Sequence, residues 1–281
     1  MVKHCIPSNY KEALVKLNEE PYQLVAGGTD LMVQHRLWGG VPVDLMNHVL
    51  FLANLSELKS IQKQGKCLRI GAMMSLQDIL NHPDTSSLLK KAIGEMASPG
   101  IRHIATLAGN IGNASPAGDG LVPLLLYDAF VVLESIDGTR EVRIQDYIIG
   151  PRQTIRKQNE LIREIVVPLK DFTNETFVKV GGRKADAISK VSFAGAARIE
   201  EGILKDIRFA FGAVYKTVVR SKEVEESLIG RTISELQTAI PTIKKKMDAL
   251  IHPIDDQRSN KKYRRLVALN LLETFLKDLS L

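Results

Sequence analysis

Hydrophobic positions along this chain switch period several times, and the switches mark out its elements. Across residues 9–18, Tyr10, Ala13, Leu14 and Leu17 fall at helical spacing behind a Ser8-Asn9 cap, which predicts an amphipathic helix. Residues 22–25 then read as a short buried strand. Leu31, Val33 and Leu37 suggest a helix opening near Thr29 or Asp30. A new segment begins around residues 55–58, with a strand expected at 68–72 and a helix at 75–80. Residues 87–97 look helical until Ser98-Pro99-Gly100 breaks the pattern. The run Leu121-Val122-Pro123-Leu124-Leu125-Leu126 is apolar on every side, as a buried helix requires. Residues 130–134 and 160–167 read as strands of the same unit.

The pattern changes again after Pro168. Residues 177–180 and 191–199 alternate enough for strands, and Glu200-Glu201-Gly202 followed by 203–214 predicts an antiparallel hairpin. The remainder reads as helices over 221–228, 232–240, 244–250 and 263–279, with Leu266, Leu269, Phe275 and Leu279 sharing a face in the last. No internal repeat or low-complexity segment interrupts the chain. Boundaries are therefore expected near residue 55 and after Pro168.

Composition narrows what such a fold does. With 281 residues and 44% hydrophobic content, the chain can bury a substantial core. No apolar run reaches the length of a membrane span, and Met1 to Pro7 lacks the apolar stretch of a secretion signal, so the cytoplasm is the expected location. The formal charge is +6, with basic clusters at Lys244-Lys245-Lys246 and from Arg258 to Arg265. Neither cluster is interleaved with stacking aromatics, so solvated helix faces or an acidic-partner surface explain them better than nucleic acid does. Cys5 and Cys67 stand alone, without a CxxC or histidine at ligand spacing, and the six histidines form no i,i+4 pair flanking a glutamate. No metal site is expected, and any iron would belong to another chain.

Two glycine-containing segments carry the candidate chemistry: Ala26-Gly27-Gly28-Thr29-Asp30-Leu31, and Thr106-Leu107-Ala108-Gly109-Asn110 running on through Ser115 to Asp119. Glycines beside small hydroxyl and amide residues let main-chain N-H groups approach an anion closely, and two such loops suit the pyrophosphate of a dinucleotide. A tight internal turn whose amides satisfy their own backbone is the competing reading. The first strand is not followed by GxGxxG, and no Walker GxxxxGK[ST] is present, so nicotinamide Rossmann and NTPase readings drop out.

These two segments, the Glu160-Leu161-Ile162 to Val167-Pro168 strand, and Lys179 followed by Arg183, Asp186 and Ile188 together resemble the FAD-binding medium subunit of molybdenum hydroxylases. That family includes flavin subunits of xanthine, carbon monoxide and nicotinate dehydrogenases. The resemblance covers nearly the whole chain. It implies an α+β fold, with a two-part FAD-binding domain of the vanillyl-alcohol-oxidase (PCMH) type at about 1–54 and 55–170, followed by a small α+β C-terminal domain with an antiparallel sheet and helices at 171–281.

Residue by residue, the resemblance sets the pyrophosphate and ribityl chain of FAD against Val25, Ala26, Gly27, Gly28, Thr29, Asp30 and Leu31. The opposite wall is Thr106, Leu107, Ala108, Gly109 and Asn110, with Ser115 and Asp119 close to the nucleotide. Ile162 matches an apolar residue near the isoalloxazine, and Lys179 a lysine at its pyrimidine end. The family usually has two glycines where this chain has Ala108-Gly109. Met96 matches a position that is aromatic and stacks on the flavin in some relatives. Asp186 falls in a glycine-rich loop that lies near the flavin in relatives and can influence NAD access.

The implied protein is an electron-transfer subunit with no acid-base catalyst of its own. It would take electrons from a small subunit with [2Fe-2S] clusters, which is fed by a large molybdenum-cofactor subunit of xanthine dehydrogenase-like type, and pass them to NAD+ or another acceptor. The alternatives are a free-standing FAD oxidase or dehydrogenase of the vanillyl-alcohol-oxidase type, and a cofactor-free assembly scaffold.

Overall fold

The computed structural model describes residues 3–36, 45 and 47–279. In chain order its strands are β1 (His4–Cys5), β2 (Gln23–Val25), β3 (Val49–Phe51), β4 (Ile61–Gln64), β5 (Cys67–Gly71), β6 (Phe130–Ser135), β7 (Gly138–Arg143), β8 (Ile148–Gly150), β9 (Gln153–Thr154), β10 (Leu161–Pro168), β11 (Asn174–Val180), β12 (Val191–Glu200), β13 (Ile203–Gly212) and β14 (Val219–Arg220). The helices are α1 (Tyr10–Glu19), α2 (Leu31–Gln34), α3 (Leu76–Asn81), α4 (Ser87–Gly94), α5 (Pro99–Arg102), α6 (Leu107–Asn113), α7 (Leu121–Leu126), α8 (Ile144–Tyr147), α9 (Lys222–Glu226), α10 (Ile233–Asp248) and α11 (Lys261–Asp278). The chain forms two compact units. The first comprises Met1–Thr85, Ser98–Asn113 and Ala129–Pro168; the second comprises Ser86–Ala97, Ala114–Asp128 and Leu169–Leu281. No helix of the described residues is long and apolar enough to cross a membrane.

In the first unit, β1, β3 and β2 make a parallel sheet in that order, and β4-β5-β10-β6-β7 make an antiparallel one. Helix α1 starts where expected because Asn9 Oδ1 accepts the Glu12 N-H at 2.9 Å while the Glu12 carboxylate accepts from the Ser8 N-H. Its Ala13, Leu14 and Leu17 are buried. Strand β10 lies at the centre of its sheet with apolar groups on both faces, and Val131, Val132 and Leu133 of neighbouring β6 are all buried. The edge strands escape the hydrophobic pattern. β4 reads Ile-Gln-Lys-Gln and β7 reads Gly-Thr-Arg-Glu-Val-Arg, with charged side chains that blunt a sheet edge against further pairing.

In the second unit, β11-β12-β13-β14 form an antiparallel sheet. The β12-β13 hairpin turns through Glu201 and Gly202, both at positive φ (51° and 74°), as a two-residue turn with right-handed strand twist requires. Residues of β12 alternate between two faces. Val191, Phe193 and Ala197 join the apolar core that includes α10 and α11, with Phe193 meeting Phe211 at 5.2 Å and Phe275 at 5.7 Å between ring centroids. At Gly195 a Cβ would come within 2.8 Å of the Phe275 ring, so the helix packs directly on bare backbone.

Two long helices of the second unit differ from the pattern-based reading. The stretch expected as separate helices at 232–240 and 244–250 is one helix, α10, which passes through Pro241. Proline forfeits one backbone hydrogen bond, but Leu236, Ile240, Ile243 and Met247 form one uninterrupted buried stripe, and a Thr232-Glu235 capping box closes the start. In α11, Leu266 is 58% exposed, and the buried stripe is Arg264, Ala268, Leu272, Phe275 and Leu276. Arg264 sets this rotation: its guanidinium donates to Asp256 and to the carbonyls of Lys190 and Ala213. A buried arginine is invisible to a reading based on apolar spacing.

The end of α7 is held by charge. Arg220 and Arg208 donate to the carbonyls of Leu125 (2.7 Å) and Leu126 (2.9 Å), and both, with Lys222, pair with Asp128 at 2.7–2.9 Å. Burial raises the Asp128 pKa, but Lys222, Arg220 and Arg208 outweigh it and hold the carboxyl below its usual range. A depressed folded-state pKa gives stability that is present above the unfolded value of about 3.9 and lost as pH falls through the folded value. Asp128→Asn is therefore expected to lower the urea midpoint at pH 7, with the gap to the parent closing as the buffer is taken below the carboxylate range.

Candidate functional site

The first bank of the site begins where β2 ends. Val25 is buried, Ala26 to Thr29 are half-buried, and Gly28 adopts φ +69°, a left-handed conformation that costs a non-glycine residue about 1–2 kcal/mol. Among the described residues, no acceptor meets the N-H groups of Gly27, Gly28, Thr29, Asp30 or Leu31. The helix expected after this loop is one turn, Leu31–Gln34, with no side-chain cap; Leu37 lies outside the described residues. So short a helix adds little dipole, and the anion-binding capacity resides in the loop amides themselves.

The second bank, expected as a loop, is mostly helix, because Leu107–Asn113 forms α6. Thr106 starts it, its Oγ1 accepting from the Gly109 N-H at 2.9 Å, while the N-H groups of Leu107 and Ala108 meet no acceptor among the described residues. Leu107, Ala108 and Ile111 form the buried side, and helical spacing puts Gly109 on the other. The Ala108 methyl thus lies on the buried side of the helix, opposite Gly109. Asn110 Oδ1 is buried with no hydrogen-bond partner. A buried acceptor left unpaired costs about 1–3 kcal/mol, so it marks a place where a ligand donor is wanted.

The two banks touch. A Cβ on Gly27 would lie 2.2 Å from the Ile104 carbonyl oxygen, and one on Gly109 would lie 3.8 Å from the Ala26 methyl. Ile162, on β10 beside a bulge, is buried and faces α6 at Gly112, whose Cβ would sit 3.7 Å from the Ile162 Cδ1.

The remaining residues singled out in the sequence, apart from Ile162, belong to the second unit and are described there by themselves. Asp119 is 5% exposed and pairs with Lys179 Nζ at 2.9 Å and with the Ser189 hydroxyl at 2.6 Å. Lys179 also donates to the Glu95 carbonyl at 2.7 Å, and its side chain is 7% exposed. The lysine is therefore a buried, partnered cation. Ser115 Oγ accepts from the Ala117 N-H at 3.3 Å within its own turn. Met96 is buried, whereas Asp186 is exposed at φ 50°, with Arg183 folded back onto its carbonyl. Ser189 and the Glu95 carbonyl escape the sequence reading: a hydroxyl ahead of an apolar strand is the only hint of the first, and a main-chain carbonyl leaves no hint at all.

Residues 1–170 match the family model described as the FAD binding domain in molybdopterin dehydrogenase, and residues 176–279 match the CO dehydrogenase flavoprotein C-terminal domain. This chain belongs to that FAD-binding family. It is 30% identical over 251 residues to the nicotinate dehydrogenase FAD-subunit of Eubacterium barkeri, covering 84% of this chain and 83% of that one. It is 28% identical to the xanthine dehydrogenase FAD-binding subunit of Escherichia coli O157:H7, covering 95% and 90%. Among solved structures, a chain of carbon monoxide dehydrogenase from Hydrogenophaga pseudoflava aligns with a TM-score of 0.87 at 25% identity, covering 97% and 95%. The residues present fit FAD. Unpaired loop amides suit a pyrophosphate, and the orphaned Asn110 acceptor suits a hydroxyl or imide donor.

Gly27→Ala must push the Ile104 carbonyl away and part the banks. The expected outcome is a loss of about 1–3 kcal/mol in urea unfolding, together with a clear fall in flavin absorbance per chain.

Proposed function

We propose that this chain is the electron-exit subunit of a three-component molybdenum hydroxylase. A large subunit carries the molybdenum cofactor, a small subunit carries [2Fe-2S] clusters, and the FAD held here delivers electrons to NAD+ or another acceptor. The observation that carries this reading is the pair of unpaired-amide banks in contact at Gly27 and Ile104, with a buried acceptor free at Asn110, in a chain of the FAD-binding family. Relatives named for nicotinate and xanthine stand at 30% and 28% identity, so similarity in this subunit does not rank substrates. The hydroxylated substrate is chosen in the molybdenum subunit.

FAD, when bound, accepts electrons one at a time and releases them in pairs, and the protein supplies position and electrostatics. Val25, Ala26, Gly27, Gly28, Thr29, Asp30 and Leu31 hold the pyrophosphate and ribityl chain from one side. Thr106, Leu107, Ala108, Gly109 and Asn110 hold it from the other. Ile162 packs on the ring, and Ser115 and Asp119 stand toward the nucleotide. Lys179 offers positive charge to the pyrimidine end, and Asp119 moderates it, so the pair sets the local potential as a unit. None of these groups needs to gain or lose a proton for the chain to work.

A native complex purified with its partner chains should be yellow and should contain molybdenum and iron; a complex without flavin overturns the proposal. Activity of this chain alone on an organic substrate would instead favour the free-standing oxidase. Within the complex, Asn110→Leu should lower FAD content with little change in flavin potential. Lys179→Met removes the cation and leaves Asp119 buried without one, and should lower the flavin midpoint potential with FAD content largely kept. Unchanged content in the first variant and unchanged potential in the second would contradict the two assignments.

A further inference from the structure

Arg152 stands in the turn between β8 and β9 at φ +58°, a backbone state that glycine adopts freely and arginine does not. Its side chain leaves the turn and meets the ends of both short helices of the site. Arg152 Nη1 donates to Gln34 Oε1 at 2.5 Å and to Asn113 Oδ1 at 3.3 Å. Gln34 Nε2 closes the triangle with Asn113 Oδ1 at 3.2 Å and also donates to the Asp30 carboxylate. Gln34 is the last residue of α2 and Asn113 the last of α6.

The two banks are thus joined at two points. Main-chain contact between Gly27 and Ile104 joins them where the free amides lie, and the Arg152 triangle joins the far ends of the helices that follow. One contact permits a hinge; two fix the angle as well as the separation. A pyrophosphate held from both sides needs that angle, because amide donors misplaced by a fraction of an ångström lose much of their hydrogen-bond energy. The guanidinium also brings a positive charge to the network that restrains Asp30, the one acidic side chain in the first loop.

We infer that Arg152 is a positioning residue for FAD, a latch that acts through Gln34 and Asn113 rather than by touching the cofactor. The inference rests on the functional reading above and adds a residue that the glycine loops do not reveal. Arg152→Gly separates this role from a merely structural one, because glycine suits the turn while removing the latch. Gln34→Leu breaks the same latch from the α2 side without touching the turn.

The experiment measures FAD dissociation and thermal unfolding for the full chain in its native complex, for the parent, both single variants and the double variant. Expected is a rise of about tenfold in the FAD dissociation constant for each single variant, on the scale of one hydrogen bond to a charged group. The double variant should be no weaker than either single one, since both break one latch, and Arg152→Gly should leave the unfolding temperature unchanged or raised. Parent-like FAD binding in both variants, additive losses in the double variant, or FAD loss in Arg152→Gly that merely follows a fall in unfolding temperature would overturn the latch. A parent complex that takes up no FAD would sink the functional reading and the latch with it, whereas the other adverse results sink the latch alone.

Discussion

The first unit is organised around a close approach of two main chains. Gly27 passes so near the Ile104 carbonyl that no side chain fits between them, and this sets two stretches distant in sequence side by side. Everything the site offers an anion depends on that approach. The amides of Gly27 to Leu31 have no acceptor of their own among the described residues because β2 has ended and α2 has barely begun. Amides of this kind are expensive to leave unpaired in a half-buried place, and a ligand that pairs them recovers the cost as affinity.

Legibility in the sequence follows burial. Strands β5, β6 and β10 and the β12-β13 hairpin can be read because buried positions carry apolar residues in long runs or alternation. The polar edge strands β4 and β7 cannot, since a solvated edge imposes almost no pattern. The same logic explains the helices. A proline in the sequence argues for a break, yet the buried stripe that runs across Pro241 keeps α10 whole. What turns α11 away from the expected face is Arg264, a buried charge that apolar spacing ignores.

The candidate site is legible in part and for a specific reason. Glycines at 27 and 28 announce themselves because only a missing Cβ permits the close approach at the first and the positive φ at the second. Partners that act through side chains distant in sequence do not. Ser189 reaches Asp119 across 70 residues, and Arg152 reaches Gln34 across 118. Each looks like an ordinary polar residue until folding supplies its neighbour. The sequence presents Lys179 as a lone cation, whereas the fold makes it half of an ion pair whose desolvation must be offset by the Ser189 and Glu95 contacts.

A division of labour follows from these two kinds of contact. Main-chain amides are supplied by any residue except proline, so a pyrophosphate cradle restricts the sequence only where a Cβ would collide or the backbone turns left-handed. Control of the ring's charge cannot be built that way, because it needs ionised side chains held at fixed depth. In this chain the first unit carries the loops with unpaired amides, and the second carries a buried ion pair, Asp119 with Lys179, to which Ser189 adds a hydroxyl. On the function proposed above, substitution in the cradle acts chiefly on how much FAD is held, and substitution in the ion pair on how readily it is reduced. The two properties are separable because the physics that produces them is different.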